Sequence, residues 1–358
     1  MNSPSIKRIV IQPTSLCNLN CSYCYLAHRD KNKKMEQIVA VKIAEQIEAQ
    51  EGLVQIIWHG GEPLACGITH FKKLLEPFEL QRIAGKIIHS IQTNGTLIND
   101  DWALLLKERG IEVGVSLDGP KWANTKRVNW SNKESHTQTL RGIAVLKKNA
   151  VPFTAICVVG EDRLSKAKEL YSYFCEMGCY EVGFNIEETS GIHMTEDLDN
   201  EVAVKKFWSE LFSAWKKNPV VSIREFSNVL TWMNSEPATC TNSPQLEDCF
   251  PSITHDGNVV LLSPEFLDAE SSHYENFLAG NVLNKTLSDI AIDGEMLEYV
   301  RNFRKGVEAC SQSCEYFEFC KGGQASNKFF ELGTTNGTET VFCKNTVKRL
   351  VDSVLSVI

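Results

Sequence analysis

Three cysteines near the start of the chain are spaced so that they can bind one inorganic centre. Cys17, Cys21 and Cys24 follow the pattern C-x3-C-x2-C. Cysteine thiolates prefer soft metals such as zinc and the iron of iron–sulfur clusters. A [4Fe–4S] cluster usually has four cysteine ligands. Three cysteines would therefore leave one iron open to a further ligand that can also react.

The same cysteines allow a simpler interpretation, which is a structural zinc site. Zinc accepts three cysteines and one histidine, and His28 follows Cys24 by four positions. Spacing alone does not identify the metal. The two alternatives have to be separated by residues farther along the chain.

Short motifs follow the cysteines, each directly after a segment that is predicted to be a β-strand. Residues 60–63 read Gly-Gly-Glu-Pro. The glycines let the backbone approach a ligand closely, and Glu62 offers an acceptor for an ammonium group. Residues 92–96 (Gln-Thr-Asn-Gly-Thr) and 116–120 (Ser-Leu-Asp-Gly-Pro) end the next two predicted strands. Each motif is also compatible with a simple turn, so its order and position along the chain carry the signal.

Strands and helices alternate through the first half of the chain and predict the scaffold of these motifs. The predicted strands lie at residues 7–12, 53–58, 86–91, 112–117, 153–159 and 181–185. Such alternation implies right-handed crossovers and a mostly parallel sheet. Ligands are then expected at the carboxyl ends of the strands. The pattern alone fits both an open doubly wound sheet and a curved partial barrel.

The cysteine spacing, with Tyr23 directly before Cys24, resembles the radical S-adenosylmethionine (SAM) superfamily, and the later motifs occur in that family's order. The resemblance implies a (β/α)6 partial barrel in which Cys17, Cys21 and Cys24 bind a [4Fe–4S] cluster and SAM occupies the open iron. It further implies cleavage of SAM to methionine and a 5′-deoxyadenosyl radical. It assigns the binding of SAM to Tyr23, Gly60, Gly61, Glu62, Pro63, Thr93, Asn94, Ser116, Asp118 and Arg127.

A second group of cysteines resembles the SPASM extension of radical SAM peptide maturases. The positions that bind the distal auxiliary [4Fe–4S] cluster in that extension are all cysteine: Cys310, Cys314, Cys320 and Cys343. Leu262 and Gln324 stand at two cysteine positions of the proximal cluster. The resemblance therefore implies one auxiliary cluster, with Cys240 and Cys249 as remnants of the other. A structural zinc ion on the same four thiolates is the alternative.

The two cysteine groups lie in different predicted parts of the chain. Residues 1–190 are expected to form the radical SAM core, and residues 249–358 a SPASM-like domain with a C-terminal helix. Residues 191–248, where the alternation stops, are expected to form a helical bridge.

The resemblance implies an enzyme that modifies a ribosomally synthesised precursor peptide. The expected reaction is hydrogen abstraction from a side-chain carbon, followed by carbon–carbon crosslinking to an aromatic residue to form a cyclophane. This closure is a net oxidation, so the auxiliary cluster is expected to accept an electron. Glu265, in a Ser-Pro-Glu motif, is expected to accept a proton. One alternative is oxidation of a Ser or Cys in a protein substrate, as in anaerobic sulfatase maturases. Another is a zinc-stabilised binding protein without radical chemistry.

Composition limits the partners and the compartment. The 358 residues are 43% hydrophobic and 23% charged, which is typical of a globular protein. The net charge of −8 argues against a nucleic-acid partner, and no apolar segment is long enough to span a membrane. Thirteen cysteines without a secretory signal favour metal binding in the reducing cytoplasm. A small electron donor such as a flavodoxin or ferredoxin is the expected reductant.

Overall fold

A sheet of ten strands is the central element of the computed structural model, which describes residues 6–48, 50, 52–194, 199–235 and 249–358. The strands are Arg8–Ile11 (β1), Val54–Trp58 (β2), Ile87–Thr93 (β3), Glu112–Ser116 (β4), Phe153–Val159 (β5), Glu181–Ile186 (β6), Ser222–Ile223 (β7), Ser252–Ile253 (β8), Asn258–Val260 (β9) and Leu278–Asn281 (β10). Their order across the sheet is β10-β9-β8-β1-β2-β3-β4-β5-β6-β7. Strands β1 to β7 pair in parallel, β8 joins β1 in parallel, and β9 and β10 pair antiparallel.

Helices connect the parallel strands and cover the C-terminal part. The α-helices are Gln37–Glu48 (α1), Ile68–Leu75 (α2), Glu79–Ile83 (α3), Asp100–Glu108 (α4), His136–Lys148 (α5), Ala167–Met177 (α6), Glu201–Lys217 (α7), Arg224–Asn234 (α8), Leu287–Gly294 (α9), Glu298–Ser313 (α10), Phe317–Cys320 (α11), Ala325–Leu332 (α12), Val341–Cys343 (α13) and Arg349–Leu355 (α14). None of the helices in the described part of the chain has the length and apolar character needed to cross a membrane.

Local sequence signals explain where these elements begin and end. All six strands predicted in the first half are present, within two residues of the predicted bounds. Pro77 lies in a short 3-10 turn between α2 and α3, because proline cannot continue the backbone hydrogen bonding of a helix. Asn99 caps α4 by accepting a hydrogen bond from the Trp102 amide at 3.0 Å.

The sheet curves so that distant strands face one cavity. Neighbouring strands lie about 4.8 Å apart, so β1 and β6 of a flat sheet would be separated by about five such spacings. Instead, a cavity of about 280 Å³ is lined both by Cys17 and Cys24, in the loop after β1, and by Val158 of β5 and Asn185 of β6. This arrangement is the predicted (β/α)6 partial barrel.

Large aromatic side chains fill the core in both the barrel and the predicted bridge. Trp58 of β2 is fully buried, and its indole nitrogen donates to Nδ1 of His89 at 3.1 Å. Trp208 of α7 is also fully buried and donates to the carbonyl of Asn345 at 2.8 Å. The second bond ties α7 to the C-terminal segment, so this segment packs on the bridge helix.

The C-terminal hairpin extends the sheet of the core, which the sequence analysis does not predict. Backbone amides of Val10 and Gln12 donate to the carbonyls of Pro251 and Ile253 at 3.0 and 2.9 Å. The sequence carries no local pattern for this pairing, because β8 has only two residues and its partner β1 is about 240 residues away. Hydrogen bonds of the sheet therefore cross the predicted boundary at residue 249, and the division into three domains stays a prediction.

Gly61 is a position where a side chain would disturb the cysteine loop. Its φ is +64°, and an added Cβ would lie 2.7–2.8 Å from the carbonyl oxygens of Thr14, Ser15 and Leu16. Gly85 has a similar φ of +69° but no atom within 4 Å of such a Cβ. We predict that Gly85→Ala costs about 1–2 kcal/mol through backbone strain alone.

Gly61→Ala should cost clearly more than Gly85→Ala, because the backbone carbonyls of the loop must move. Denaturant unfolding of both variants measures the difference. Equal losses of unfolding free energy would contradict the close approach of the loop to Gly61.

Candidate active site

The three N-terminal cysteines lie in a loop that is fixed at several points to the rest of the barrel. The Cys17 amide donates to the carbonyl of Arg29 at 2.8 Å, which closes the loop on itself. The amides of Asn20 and Ser22 donate to the carbonyls of Val128 and Lys126 at 2.7 and 3.0 Å. The segment after β4 therefore holds the loop over the carboxyl ends of the strands.

Most of the predicted site residues line the cavity inside the barrel. The predicted residues on its wall are Cys17, Cys21, Tyr23, Cys24, Gly61, Glu62, Thr93, Asn94, Ser116, Arg127 and Glu265. Gly60, Pro63 and Asp118 are not on this wall. The structure thus brings the motifs together at one place, and their individual roles toward a cofactor stay predictions.

Glu62 holds the motifs after two successive strands, β2 and β3, together. Its carboxylate accepts hydrogen bonds from the Thr93 hydroxyl at 2.6 Å, the Asn94 amide at 2.7 Å and the Leu64 amide at 3.1 Å. The residue is 1% exposed, and burial raises the pKa of its carboxyl although these hydrogen bonds oppose the rise. A buried carboxyl group on the cavity wall fits the binding of an ammonium group there, because an opposite charge favours its ionised form.

Asp118 contributes from behind the wall. Its carboxylate accepts hydrogen bonds from the Tyr23 hydroxyl at 2.9 Å and from the Val158 amide at 3.2 Å. Arg127 donates to the same Tyr23 hydroxyl at 2.6 Å. Asp118 therefore orients Tyr23, which in turn contacts Arg127, and the predicted role of Asp118 toward SAM stays a prediction. The Nε atom of Arg127 is buried and has no partner among the described residues.

The thiols of the loop fit a metal centre rather than a free state. Burial raises the pKa of both the Cys17 and the Cys21 thiol, because thiolate is poorly solvated there. A cationic metal centre offsets this cost, since ligating cysteines are deprotonated by the metal. His28 is exposed and does not line the cavity, so the fourth ligand of the zinc alternative is not at the site.

Two carboxyl groups lie on the wall that faces these cysteines. Glu265 interacts with the hydroxyl of Ser263, and Ser326 donates to it at 3.4 Å. Glu188, two residues after β6, accepts a hydrogen bond from the side-chain amide of Asn327 at 2.5 Å. Both side chains are half-buried and line the cavity.

The surroundings of these two carboxyl groups give them different pKa values. Burial raises the pKa of Glu265. Burial and, next, the charge of Glu265 raise the pKa of Glu188 to about 8. Glu188 is therefore mostly protonated at neutral pH, and Glu265 is the first of the two to ionise. The sequence analysis missed Glu188, because a glutamate after a strand has no spacing or motif that distinguishes it from a solvated surface residue.

Aromatic residues complete this wall. Tyr25, which follows Cys24, stacks on His59 with ring centroids 6.5 Å apart. Burial lowers the pKa of His59 to about 4, so its imidazole is neutral at pH 7 and supplies no charge to the carboxyls. The cavity therefore combines an acidic wall with an aromatic one.

The four C-terminal cysteines line a second cavity of about 220 Å³. They come from three helices: Cys310 and Cys314 from the C-terminal end of α10, Cys320 from α11 and Cys343 from α13. Gly322 and Gly323 have positive φ angles of 97° and 77°, which lets the chain turn back beside the cysteines. Four thiols on one cavity have the donor chemistry of an auxiliary [4Fe–4S] cluster, which four thiolates complete.

The residues predicted to have replaced the proximal-cluster ligands have different surroundings. Leu262 packs against the core, and its amide donates to the carbonyl of Cys249 at 2.8 Å. Gln324 is on the wall of the four-cysteine cavity. Cys240 lies outside the described residues. The loss of the proximal cluster stays a prediction.

Comparisons with known proteins agree with this geometry. A family model described as the radical SAM superfamily matches residues 11–174. An uncharacterized protein of Synechocystis sp. is 33% identical over 360 residues, covering 97% of this chain and 90% of that protein. The cysteine-type anaerobic sulfatase-maturating enzyme of Clostridium perfringens is 27% identical over 342 residues, covering 89% of both chains.

One solved structure extends the comparison to a bound cofactor. Native anSMEcpe with bound AdoMet, which is SAM, and Cp18Cys peptide superposes with a TM-score of 0.78 and 25% identity. The superposition covers 98% of this chain and 97% of that one. The conclusion from the motifs, the barrel and these similarities is that the chain belongs to the radical SAM superfamily and is an enzyme that uses SAM and [4Fe–4S] clusters.

Proposed function

We propose that this enzyme modifies a precursor peptide by joining a side-chain carbon to a neighbouring aromatic ring, with the loss of two hydrogens. The observation that carries the proposal is the cavity of the barrel, where the SAM-binding motifs face Glu265 and Glu188. A peptide substrate is supported by the similar structure that holds a peptide together with AdoMet.

The residues around the cavity have distinct parts in this reaction. Cys17, Cys21 and Cys24 would hold the SAM-binding cluster, and Glu62 would accept hydrogen bonds from the ammonium group of SAM. Arg127, with its free Nε, would donate to an oxygen of SAM. When bound, SAM and its cluster supply a 5′-deoxyadenosyl radical, which removes a hydrogen atom from a substrate carbon.

The substrate carbon radical bonds to the aromatic ring, and the ring then loses its hydrogen as one proton, which a carboxylate accepts, and one electron, which the auxiliary cluster accepts. Glu265 is placed to accept the proton, because it lies on the cavity and ionises before Glu188. Ser263 and Ser326 fix the orientation of its carboxylate. The stacked Tyr25 and His59 offer an aromatic wall against which an aromatic substrate ring can pack.

Replacement of ligands of the proximal cluster favours crosslinking over the reaction of sulfatase maturases. Leu262, packed against the core, and Gln324 stand at two positions where the sulfatase-type extension has cysteine. The second candidate is nevertheless oxidation of a Ser or Cys in a protein substrate. It is favoured by the similarity to the sulfatase-maturating enzyme over 89% of both chains. The zinc-stabilised binding protein is wrong, because the chain is a radical SAM enzyme.

The first prediction separates these candidates. Reconstituted enzyme, given dithionite and SAM under argon, should release 5′-deoxyadenosine. With a precursor peptide, mass spectrometry should show the loss of two hydrogens and fragments that remain linked across the modified residues. A product that reacts with an aldehyde probe would instead establish the sulfatase-maturase type. Absence of 5′-deoxyadenosine would contradict both.

The second prediction concerns the number of clusters. The wild type should bind about eight irons, and Cys320→Ala about four, because each [4Fe–4S] cluster holds four. Cys175→Ala, at a half-buried thiol on α6 that lines neither cavity, is the matched control and should keep the full iron content. Twelve irons in the wild type would show that the proximal cluster is present after all.

The third prediction assigns the proton acceptor. Glu265→Gln should still release 5′-deoxyadenosine but lose product formation by about 100-fold or more, the usual contribution of a general base. Glu188→Gln makes the same change in the same cavity and should keep most of the product formation at pH 7. The reason is that Gln resembles the protonated carboxyl that a pKa of about 8 implies for Glu188.

The pH dependence checks the same assignment. Because burial raises the pKa of Glu265 and the base must be ionised, product formation in the wild type should rise as pH increases through that pKa. Release of 5′-deoxyadenosine without substrate should not follow this rise. A loss of product in Glu188→Gln but not in Glu265→Gln would reverse the two roles.

A further inference from the structure

We propose that Lys328 donates to the auxiliary cluster in the four-cysteine cavity and raises the reduction potential of that cluster. The inference rests on the proposed function in one respect, which is that the cavity holds an auxiliary [4Fe–4S] cluster. It assigns a tuning role to a residue that no cysteine motif contains.

Lys328 is a buried cation that has no hydrogen-bond partner among the described residues. The residue is 2% exposed. The Nζ atom lies 5.1 Å from the centre of the Phe303 ring, on the wall of the cavity that the four cysteines line. Burial of an ammonium group is costly unless an anionic group compensates for it.

Among the described residues, the wall of the four-cysteine cavity has no unpaired carboxylate for this ammonium group. Glu339 is on the same wall, but it pairs with Lys348, whose side chain is 30% exposed. The remaining groups that can carry negative charge on this wall are the thiolates of Cys310, Cys314, Cys320 and Cys343. An iron–sulfur cluster with four thiolate ligands is anionic, so it would supply the charge that Lys328 lacks.

A nearby cation changes the redox behaviour of such a cluster. Reduction adds one negative charge, and a buried ammonium group stabilises the reduced state more than the oxidised state. Net charge and hydrogen bonds to sulfur are among the factors that set cluster potentials. Lys328 should therefore make the cluster easier to reduce.

The position of Lys328 on α12 links the two cavities. The residues just before it, Ser326 and Asn327, hydrogen bond to Glu265 and Glu188 of the active site. Lys328 lies one helical turn after Gln324, the N-cap of α12, so both share the side of the helix at the four-cysteine cavity. One short helix thus contacts the carboxyl pair and the proposed cluster.

The experiment isolates the auxiliary cluster in the full-length chain. A variant with Cys17, Cys21 and Cys24 changed to Ala removes the SAM-binding cluster and leaves one cluster to measure. Reductive titration followed by electron paramagnetic resonance then gives its potential. Lys328→Met in this background should shift the potential to a more negative value, and Lys328→Arg should restore part of the shift. Lys348→Met, at the paired and partly exposed lysine, should leave the potential nearly unchanged.

A second measurement detects the contact between the lysine and the cluster directly. Protein grown with 15N-lysine should show a nitrogen coupling to the reduced cluster in pulsed electron paramagnetic resonance, and Lys328→Met should abolish it. An unchanged potential with full iron content, or no lysine coupling in the unsubstituted protein, would overturn the inference. A triple variant that binds no iron would also overturn it. Release of 5′-deoxyadenosine by the wild type reports separately on the radical chemistry.

Discussion

The buried carboxylate of Glu62 is the constraint on which the active site depends. It accepts hydrogen bonds from the loops after β2 and β3, through Leu64, Thr93 and Asn94. Directly before it, Gly61 allows the loop that carries the cysteines to pass within contact of the β2 turn. One acidic side chain thus fixes two loops at the mouth of the barrel. The hydrogen bonds that it accepts offset part of the energetic cost of burying its charged form.

Much of the core could be predicted because its signals are local. A β-branched run such as residues 8–11, a cap such as Asn99 and a break such as Pro77 act within a few residues, so pattern analysis finds them. The cysteine spacings predict two metal sites for the same reason. Strands β8 to β10 have short or weak patterns, and β8 acquires its place only through pairing with β1.

Side chains that act through burial were not predictable in this way. Glu188 and Lys328 have no motif, and their properties come from the walls that the fold builds around them. The position of Asp118 also follows from packing, since this motif residue lies behind Tyr23 and not on the cavity wall. Sequence identifies the groups that can bind a centre, whereas the packed fold decides which groups modulate it.

The parallel pairing of β8 with β1 also bears on how the chain can be divided. Strand β1 has neighbours on both sides, β2 and β8, so neither of its edges is open. A fragment that ended before β8 would expose one edge of the apolar strand that leads into the cysteine loop. Unprotected edges recruit strands from other molecules and promote aggregation. The C-terminal part therefore covers the edge of β1 at which another chain could pair, in addition to carrying the four cysteines of the second cavity.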